Sequence, residues 1–236
     1  MGWYDYYTYV SVGEKKAKAE KKLSQLRKKD PNICPVVIEG KKIAKSWWGI
    51  AWCKNLESYA DYSNRIERGR SYVKNGFVLD LQIQEGLVKA KVYGSSLYNV
   101  TIKIDKLREQ NKERVIAAIG RKVDSIESLV NGKFPNEFGE IFLTQRNGLF
   151  PSPSEIHLNC DCPDWADMCK HSAAVLYGIG ARLDADPMLF FQLRGIDVSE
   201  FIKKSIDEKM QQMLKNAGAK TQRVLDNADI SSLFGI

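Results

Sequence analysis

A cluster of metal-ligand residues is the feature of this sequence that most restricts how the chain can fold. Three of the five cysteines and one of the two histidines lie in one short segment, as Cys160-x-Cys162, six further residues, and Cys169-x-His171. Three thiolates and one imidazole form a ligand set typical of structural Zn²⁺, and four protein ligands leave no open position for a substrate. The chain must therefore bring two short half-sites together around one ion.

The spacing within each half-site predicts its local backbone. On an extended chain the side chains of Cys160 and Cys162 leave the same face, so both sulfurs can reach one ion. On a regular helix, residues two apart point about 200° apart, so Cys169 and His171 cannot both ligate from within one helix. We therefore predict that a helix begins at about residue 170, with Cys169 in its capping region and His171 in its first turn.

The sequence after His171 indicates that this helix is buried along one side. Residues spaced by four form a stripe that should face the interior, namely His171, Val175, Ile179 and Leu183. The positive end of the helix dipole would favour the thiolate form of Cys169. The predicted ligand thus lies at the start of a core stripe.

The cysteines are also compatible with two roles that need no metal. Cys160 and Cys162 could be small buried side chains, or the group could form disulfides in an oxidising compartment. The first residues, 1–7, lack the basic start and apolar core of a secretory signal, so we expect a reducing, cytoplasmic location. No stretch approaches the apolar length of a membrane span, so we expect no membrane association. Zinc is the favoured interpretation.

The positive charge is concentrated in the N-terminal part of the chain. Residues 14–74 hold 16 Lys and Arg against 7 Asp and Glu, whereas the whole chain has a net charge of +7. Ser11 and Glu14 form a capping-box pattern that opens a lysine-rich helix with an apolar seam at Ala19, Leu23 and Leu26. Such a helix suits an anionic surface, either nucleic-acid phosphate or an acidic partner, although a solvated face of the domain is equally compatible.

These charges supply the candidate nucleic-acid contacts. The basic residues assigned to this role lie in two stretches, and they are Lys15, Lys18, Lys21, Lys22, Lys28, Lys29, Arg65, Arg68, Arg70 and Lys74. The second stretch belongs to a basic segment that runs from Lys41 to Lys74 and is interleaved with Trp47, Trp48 and Trp52. These could stack on bases, but core packing is favoured for most of them. The segment around the metal ligands is acidic, so the N-terminal half should supply most of the attraction for phosphate.

The remaining patterns predict an α+β fold. Residues 71–74, 77–84, 87–93 and 97–104 are expected to form a four-stranded antiparallel β-meander, with a type I′ turn at Asn75-Gly76. Helices are expected at about 110–119 and 124–131, just after Pro187, and over 199–215. The predicted organisation is a basic α+β region over residues 1–150, a zinc finger with a helix over 151–195, and a C-terminal helix with a flexible tail over 196–236.

The ligand pattern C-x-C-x6-C-x-H, with its Pro163-Asp-Trp165 run, resembles the SWIM zinc finger. Two further segments, Lys45–Cys53 and Arg68–Gly76, and the segment 173–184 are similar to prokaryotic SWIM zinc finger proteins, so the resemblance covers about residues 1–205. It implies Zn²⁺ on Cys160, Cys162, Cys169 and His171, with DNA-binding or protein-interaction roles. Prokaryotic members often accompany a helicase-type ATPase, and this chain has no phosphate-binding Gly-x-x-x-x-Gly-Lys-Ser/Thr loop of its own.

Three functional hypotheses follow. The first is a zinc-dependent nucleic-acid-binding accessory protein of a helicase-like ATPase, with DNA as the expected ligand. The second is a protein-interaction adaptor in which zinc is purely structural. Enzymatic activity is the least favoured, because His157 is the only histidine besides the predicted ligand and no acid-base or nucleophilic constellation is evident.

Overall fold

The computed structural model describes residues 10–58, 63–120, 139 and 148–197, together with residues 203, 207, 210, 211 and 213–215. The chain divides into two compact units, Met1–Val198 and Ser199–Ile236. In the second unit the described residues are helical and exposed, in agreement with the helix predicted over 199–215. The predicted helix at 124–131 and the predicted flexible tail lie outside the described residues, and the predicted domain boundaries at 150 and 195 remain a prediction.

The first unit is an α+β fold, as the sequence predicts. Its helices are α1 (Val12–Lys29), α2 (Trp47–Ser58), α3 (Ser63–Lys74), α4 (Glu109–Gly120), α5 (Lys170–Ala185) and α6 (Leu189–Leu193). Its strands are β1 (Val78–Gln84), β2 (Leu87–Tyr93), β3 (Leu97–Ile104) and β4 (Ile156–Cys160), and a 3₁₀ turn at Pro153–Glu155 precedes β4. Among the described residues, no helix combines the length and the apolar character that crossing a membrane requires.

The basic helix α1 begins and packs as its sequence predicts. Ser11 is the N-cap, and its hydroxyl accepts from the Glu14 amide at 3.2 Å while the Glu14 carboxylate accepts from the Ser11 amide at 3.0 Å. The predicted seam is confirmed: Ala19 is buried against Phe77 and Leu79, with Leu23 and Leu26 packed around them. Burial of this seam holds α1 against Phe77 and Leu79.

The predicted strand at residues 71–74 is wrong, because these residues end α3. The Phe77 amide donates to the Tyr72 carbonyl at 3.1 Å and the Gly76 amide to the Val73 carbonyl at 3.0 Å. This is a Schellman cap, and Gly76 has the positive φ of 73° that it needs. Asn75-Gly76 therefore closes a helix rather than a hairpin.

The four strands form one antiparallel sheet in the order β1-β2-β3-β4. Three of the predicted strands are confirmed. The apolar residues predicted to form one face of these strands are buried except for Ile83, which is half-buried, and they are Val78, Leu81, Ile83, Val88, Ala90, Val92, Val100, Ile102 and Ile104. The fourth strand is β4, which the sequence pattern did not predict. It pairs with β3 in a register that sets Cys160 opposite Val100 and Ile156 opposite Ile104. The sheet thus carries the first predicted metal ligand at its edge.

A buried ion pair holds the start of β4. Arg194, 1% exposed, lies 2.7 Å from the Glu155 carboxylate and also donates to the Asp105 carbonyl at 2.5 Å. Burial acts to raise the pKa of Glu155, but hydrogen bonds from Arg194 and Ser152 outweigh it and hold this pKa below its usual value. The segment after α6 is thereby tied to the ends of β3 and β4.

Helix α5 is the central element of the first unit. It packs against α3 and α2 as well as against all four strands of the sheet. Gly69 of α3 permits this approach, because a Cβ there would lie 2.5 Å from the Ala173 Cβ and 2.8 Å from the backbone of Ala174. Trp52 of α2 is fully buried and its indole donates to the Leu176 carbonyl at 3.0 Å, which confirms the predicted core role for this residue.

Candidate metal centre

The four predicted ligands meet at one point of the structure. The ligand atoms of Cys160, Cys162, Cys169 and His171 all lie within 4.8 Å of one another. Cys160 ends β4, Cys162 follows in the bend after it, and Cys169 and His171 stand at the start of α5. The sheet therefore supplies one half-site and the central helix supplies the other.

The start of α5 places Cys169 as predicted. Cys169 is the N-cap residue, and its Sγ accepts from the Ser172 amide at 3.4 Å. The pKa of Cys169 is lowered to about 3, chiefly by a hydrogen bond from Cys160. Burial acts to raise this pKa, whereas hydrogen bonds from His171 and Ser172 lower it further. The pKa of Cys160 is raised in turn, chiefly by the same hydrogen bond to Cys169. One thiolate is thus favoured among the three sulfurs even before a cation adds its own charge.

The ring of His171 is fixed between two tyrosines. Tyr98 stacks on it with centroids 4.5 Å apart and an interplanar angle of 28°, and Tyr72 contacts it edge-on at 5.5 Å. His171 is 2% exposed, and its Nδ1 lies 3.9 Å from the Cys160 Sγ. The predicted buried stripe from His171 through Val175 and Ile179 to Leu183 is confirmed. Nδ1 is therefore the nitrogen directed at the sulfurs.

Gly94, in the turn between β2 and β3, allows the ring to occupy this position. A Cβ at Gly94 would lie 2.8 Å from the His171 Nε2 and 2.7 Å from Cε2 of Tyr98. Nε2 is buried and has no hydrogen-bond partner among the described residues. Gly94, Tyr98 and Tyr72 were missed as supporting residues, since only the tertiary fold shows that the 94–96 turn faces the start of α5.

We expect Gly94→Ala to weaken metal binding. The added methyl group requires His171 or Tyr98 to shift, and a shift of His171 moves Nδ1 away from the sulfurs. A loss of about tenfold or more in Zn²⁺ affinity, the usual scale for disturbing a ligand's support, should appear in a chelator competition assay. Ser96→Ala, a change to an exposed side chain in the same turn, is the matched control. Unchanged affinity in Gly94→Ala would show that the ring tolerates the methyl group.

The residues present fit a metal ion. Three thiols and a buried imidazole nitrogen converge, and this is a donor set that one cation can ligate. Zinc bonds of about 2.0–2.3 Å imply ligand atoms roughly 3.3–3.8 Å apart, so small side-chain adjustments close the observed spread of up to 4.8 Å. The cluster can therefore hold a metal ion in a closed, fully protein-ligated site.

Two acidic residues in the turn between the half-sites make contacts within the fold. The Asp161 carboxylate accepts from the Asn99 amide at 2.9 Å and from its side chain at 2.8 Å. The Asp164 carboxylate pairs with Arg65 at 3.0 Å, and this hydrogen bond lowers the pKa of Asp164. Trp165, by contrast, is 99% exposed. The acidity noted in the sequence is thus partly neutralised, and the turn presents an indole to solvent.

The candidate nucleic-acid residues separate into two groups in the structure. Lys18, Lys21, Lys28 and Lys29 of α1 are exposed, as are Arg68 and Lys74 of α3, whereas Lys22 is half-buried.

Three of the predicted residues make contacts within the fold. Lys15 donates to the Tyr72 hydroxyl at 2.5 Å and lies over the Tyr72 ring, and burial followed by repulsion from Lys170 lowers its pKa. Arg65 pairs with Asp164, and Arg70 pairs with Glu57. The exposed lysines and arginine of α1 and α3 are therefore the candidate residues that a nucleic acid could reach.

His157, the other histidine, lies away from the ligand group. Its Nε2 is 3.1 Å from the Asp105 carboxylate near the opposite end of β4 from Cys160, and the side chain is 56% exposed.

Comparison with known proteins finds a relative of similar sequence. The chain is 34% identical over 156 residues to the uncharacterized protein Rv2102 of Mycobacterium tuberculosis, and the match covers 65% of this chain. The chain spans about half the length of that relative, 56% of it. No protein-family model and no solved structure matches the chain.

Proposed function

We propose that this protein is a SWIM-type zinc protein that binds nucleic acid, with DNA as the expected ligand. The cluster of Cys160, Cys162, Cys169 and His171 would hold Zn²⁺ as a structural ion. Zinc would supply a cross-link between the edge of the sheet and the start of α5, because each contributes a half-site. The resemblance of the ligand spacing to the SWIM finger supports this choice of metal and of function.

The observation that carries nucleic-acid binding is the exposed lysine face of α1. Lys18, Lys21, Lys28 and Lys29 stand at i, i+3, i+10 and i+11, so they lie on one side of the helix. The seam of Ala19, Leu23 and Leu26 anchors a different side against Phe77 and Leu79. A rigidly held row of exposed ammonium groups suits a phosphate backbone, because neutralising phosphates releases bound counterions.

The metal centre is joined to helix α1 through two side chains. Lys15 of α1 hydrogen-bonds to Tyr72, and the Tyr72 ring packs against His171. Loss of the metal would remove one of the constraints on His171 and so loosen one of the supports of α1. Zinc would therefore act on nucleic-acid binding by positioning α1, without contacting the strand.

A helicase-like ATPase is the partner we propose for this accessory role, and we assign no catalytic activity to the chain itself. Both statements rest on the SWIM resemblance and on the sequence, which lacks a recognisable catalytic constellation. A nucleic-acid-binding accessory factor could deliver or retain the strand on which such an ATPase acts.

A binding titration tests the proposed function. Zinc-loaded protein is titrated against labelled single- and double-stranded DNA and RNA at several salt concentrations. We expect affinity to fall steeply as salt is added. In a plot of the logarithm of the binding constant against the logarithm of the salt concentration, each phosphate neutralised should contribute a slope of about −0.7 to −0.9. Absence of binding to every probe at low salt would contradict the proposal.

The exposure of Trp165 favours a second candidate function, that of a protein-interaction adaptor. This indole lies on a turn whose neighbours Asp161 and Asp164 are held by hydrogen bonds, so it is presented from an ordered support. Tryptophan is among the residues that contribute most to protein interfaces. In this role the protein would bind its ATPase partner through Trp165, and Trp165→Ala would abolish that complex while DNA binding stayed unchanged.

A further inference from the structure

A pocket separate from the metal centre opens beside α2 and α3. Its volume is about 300 Å³, and it is lined by the segment 41–44, by residues of α2 and α3, and by Tyr177 of α5. The apolar part of the lining includes Ile43, Ala44 and Ile50. The volume stands at the lower end of the range of small-molecule sites, roughly 300–1,000 Å³, so the pocket suits a small ligand.

The wall of this pocket is held in place from α5. The Asp184 carboxylate accepts from the Lys45 amide at 2.9 Å and from the Ser46 amide at 2.6 Å. These bonds fix the chain immediately after the segment 41–44 and before the start of α2. The apolar side is thus preformed rather than dependent on a ligand.

The Glu57 carboxylate in the lining of the pocket is already paired. Glu57 forms an ion pair with Arg70, and the Tyr177 hydroxyl donates to Glu57 at 2.8 Å while it accepts from Arg70 at 3.2 Å. The arginine, whose pKa is raised chiefly by its hydrogen bond to Tyr177, remains charged. The charges of Glu57 and Arg70 cancel, so neither residue determines the sign of the net charge around the pocket.

Four lysines give the lining of the pocket its net positive charge. Lys41, Lys42, Lys54 and Lys74 all line the pocket and are exposed. None of them forms an ion pair with any residue that the structure describes. Like charges gathered around one cavity repel one another and raise the local concentration of anions. The pocket therefore combines an apolar wall with an unneutralised cationic rim.

We propose that this pocket binds a nucleotide, with the phosphate at the lysine rim and the base against Ile43, Ala44 and Ile50. The lysines suit the anionic phosphate of such a ligand, and the apolar lining suits the flat aromatic face of its base. A free mononucleotide and an unpaired nucleotide of a strand offer the same chemistry. The inference goes beyond the proposed function, because a free nucleotide would bind whether or not α1 binds a strand.

Calorimetric titration of the whole, zinc-loaded chain with adenosine 5′-monophosphate (AMP) tests the proposal. Inorganic phosphate and adenosine are titrated separately as the two halves of the ligand. We expect saturable binding of AMP, with an affinity at least about tenfold above that of either half, because both sides of the pocket contribute. Absence of saturable AMP binding, or equal binding of phosphate alone, would overturn the assignment of a nucleotide.

A matched pair of variants locates the binding. Lys54→Glu with Lys74→Glu reverses two rim charges on exposed positions of α2 and α3 and should weaken AMP binding by about tenfold or more. Lys89→Glu with Lys103→Glu makes the same charge change on exposed positions of β2 and β3 that do not line the pocket. This control should bind AMP with an affinity within about twofold of the native protein. Equal losses in the two variants, with both folded by circular dichroism, would exclude this pocket.

Competition distinguishes the source of the nucleotide. If 5′-phosphorylated single-stranded DNA displaces AMP and blunt duplex does not, the natural ligand is an unpaired nucleotide of a strand. If neither DNA displaces AMP, the natural ligand is a free nucleotide. Either of these two outcomes supports the pocket as a nucleotide site. The two proposals fail separately. A native protein that binds AMP but no nucleic-acid strand would contradict only the proposed function. A native protein whose strand binding is lost on reversal of the α1 lysines, but which does not bind AMP, would contradict only the pocket.

Discussion

Replacement of Cys162 by serine should abolish tight zinc binding and destabilise the region built on the metal centre. Cys162 is half-exposed and serine is nearly isosteric, so the variant removes a ligand without opening a core cavity. Metal binding in a structural site contributes directly to folding, by about 10–16 kcal/mol in isolated zinc-finger peptides. We expect the free energy of unfolding to fall by about 3 kcal/mol or more, and chelator to destabilise the native protein but not the variant.

Denaturant unfolding with and without chelator measures this effect, and zinc content is checked by metal analysis. Trp165→Ala is the control, since it removes a large side chain from the same turn that is almost fully exposed. The control should keep its metal and its stability. A Cys162→Ser protein that retained one equivalent of zinc and native stability would show that Cys162 is not a ligand.

Reversal of Lys18, Lys21, Lys28 and Lys29 to glutamate should abolish DNA binding while the fold is retained. These four side chains are exposed, so the change affects the proposed phosphate contacts and leaves the seam at Ala19 intact. Each phosphate contact that is lost lowers the slope of log affinity against log salt concentration by about 0.7–0.9, so any residual binding should show a slope lower by about 3–4. Fluorescence anisotropy over a range of salt concentrations measures both affinity and slope.

The contribution of net charge is separated by a double variant. Lys18→Glu with Lys21→Glu has the same charge change as Lys89→Glu with Lys103→Glu on the sheet. The α1 pair should reduce the salt slope by about two, whereas the sheet pair should leave it unchanged. Equal weakening by the two pairs would mean that long-range charge, and not the α1 face, attracts the strand.

Local spacing in the sequence was sufficient to predict the metal cluster and the starts of two helices. Cys169 and His171 cannot share a helical face, and this constraint alone predicts the start of α5. Ser11 and Glu14 similarly predict the start of α1, because a capping box is completed within four residues. These features depend on neighbours in the chain, so the sequence contains all the information they need.

The errors concern features that depend on distant contacts. Residues 71–76 contain β-branched and aromatic residues followed by Asn-Gly, which favours a hairpin locally. Ile66, Gly69 and Val73 are buried, and α3 packs closely against α5. This tertiary packing overrides the local preference. The strand β4 was missed because five residues give a weak signal and its partner β3 is distant in sequence. The pocket was likewise invisible, since its lysines come from three different segments.

The late addition of β4 has a consequence for the protein as it leaves the ribosome. Once β1, β2 and β3 have been synthesised, β3 remains an open edge until residues 156–160 emerge and pair with it. An open edge is a template for pairing with other chains, so newly made protein is most prone to aggregation during that interval. Zinc, by holding the end of β4 to α5, would keep the edge closed afterwards. Cells short of zinc should therefore accumulate this protein in aggregates rather than as a soluble apoprotein.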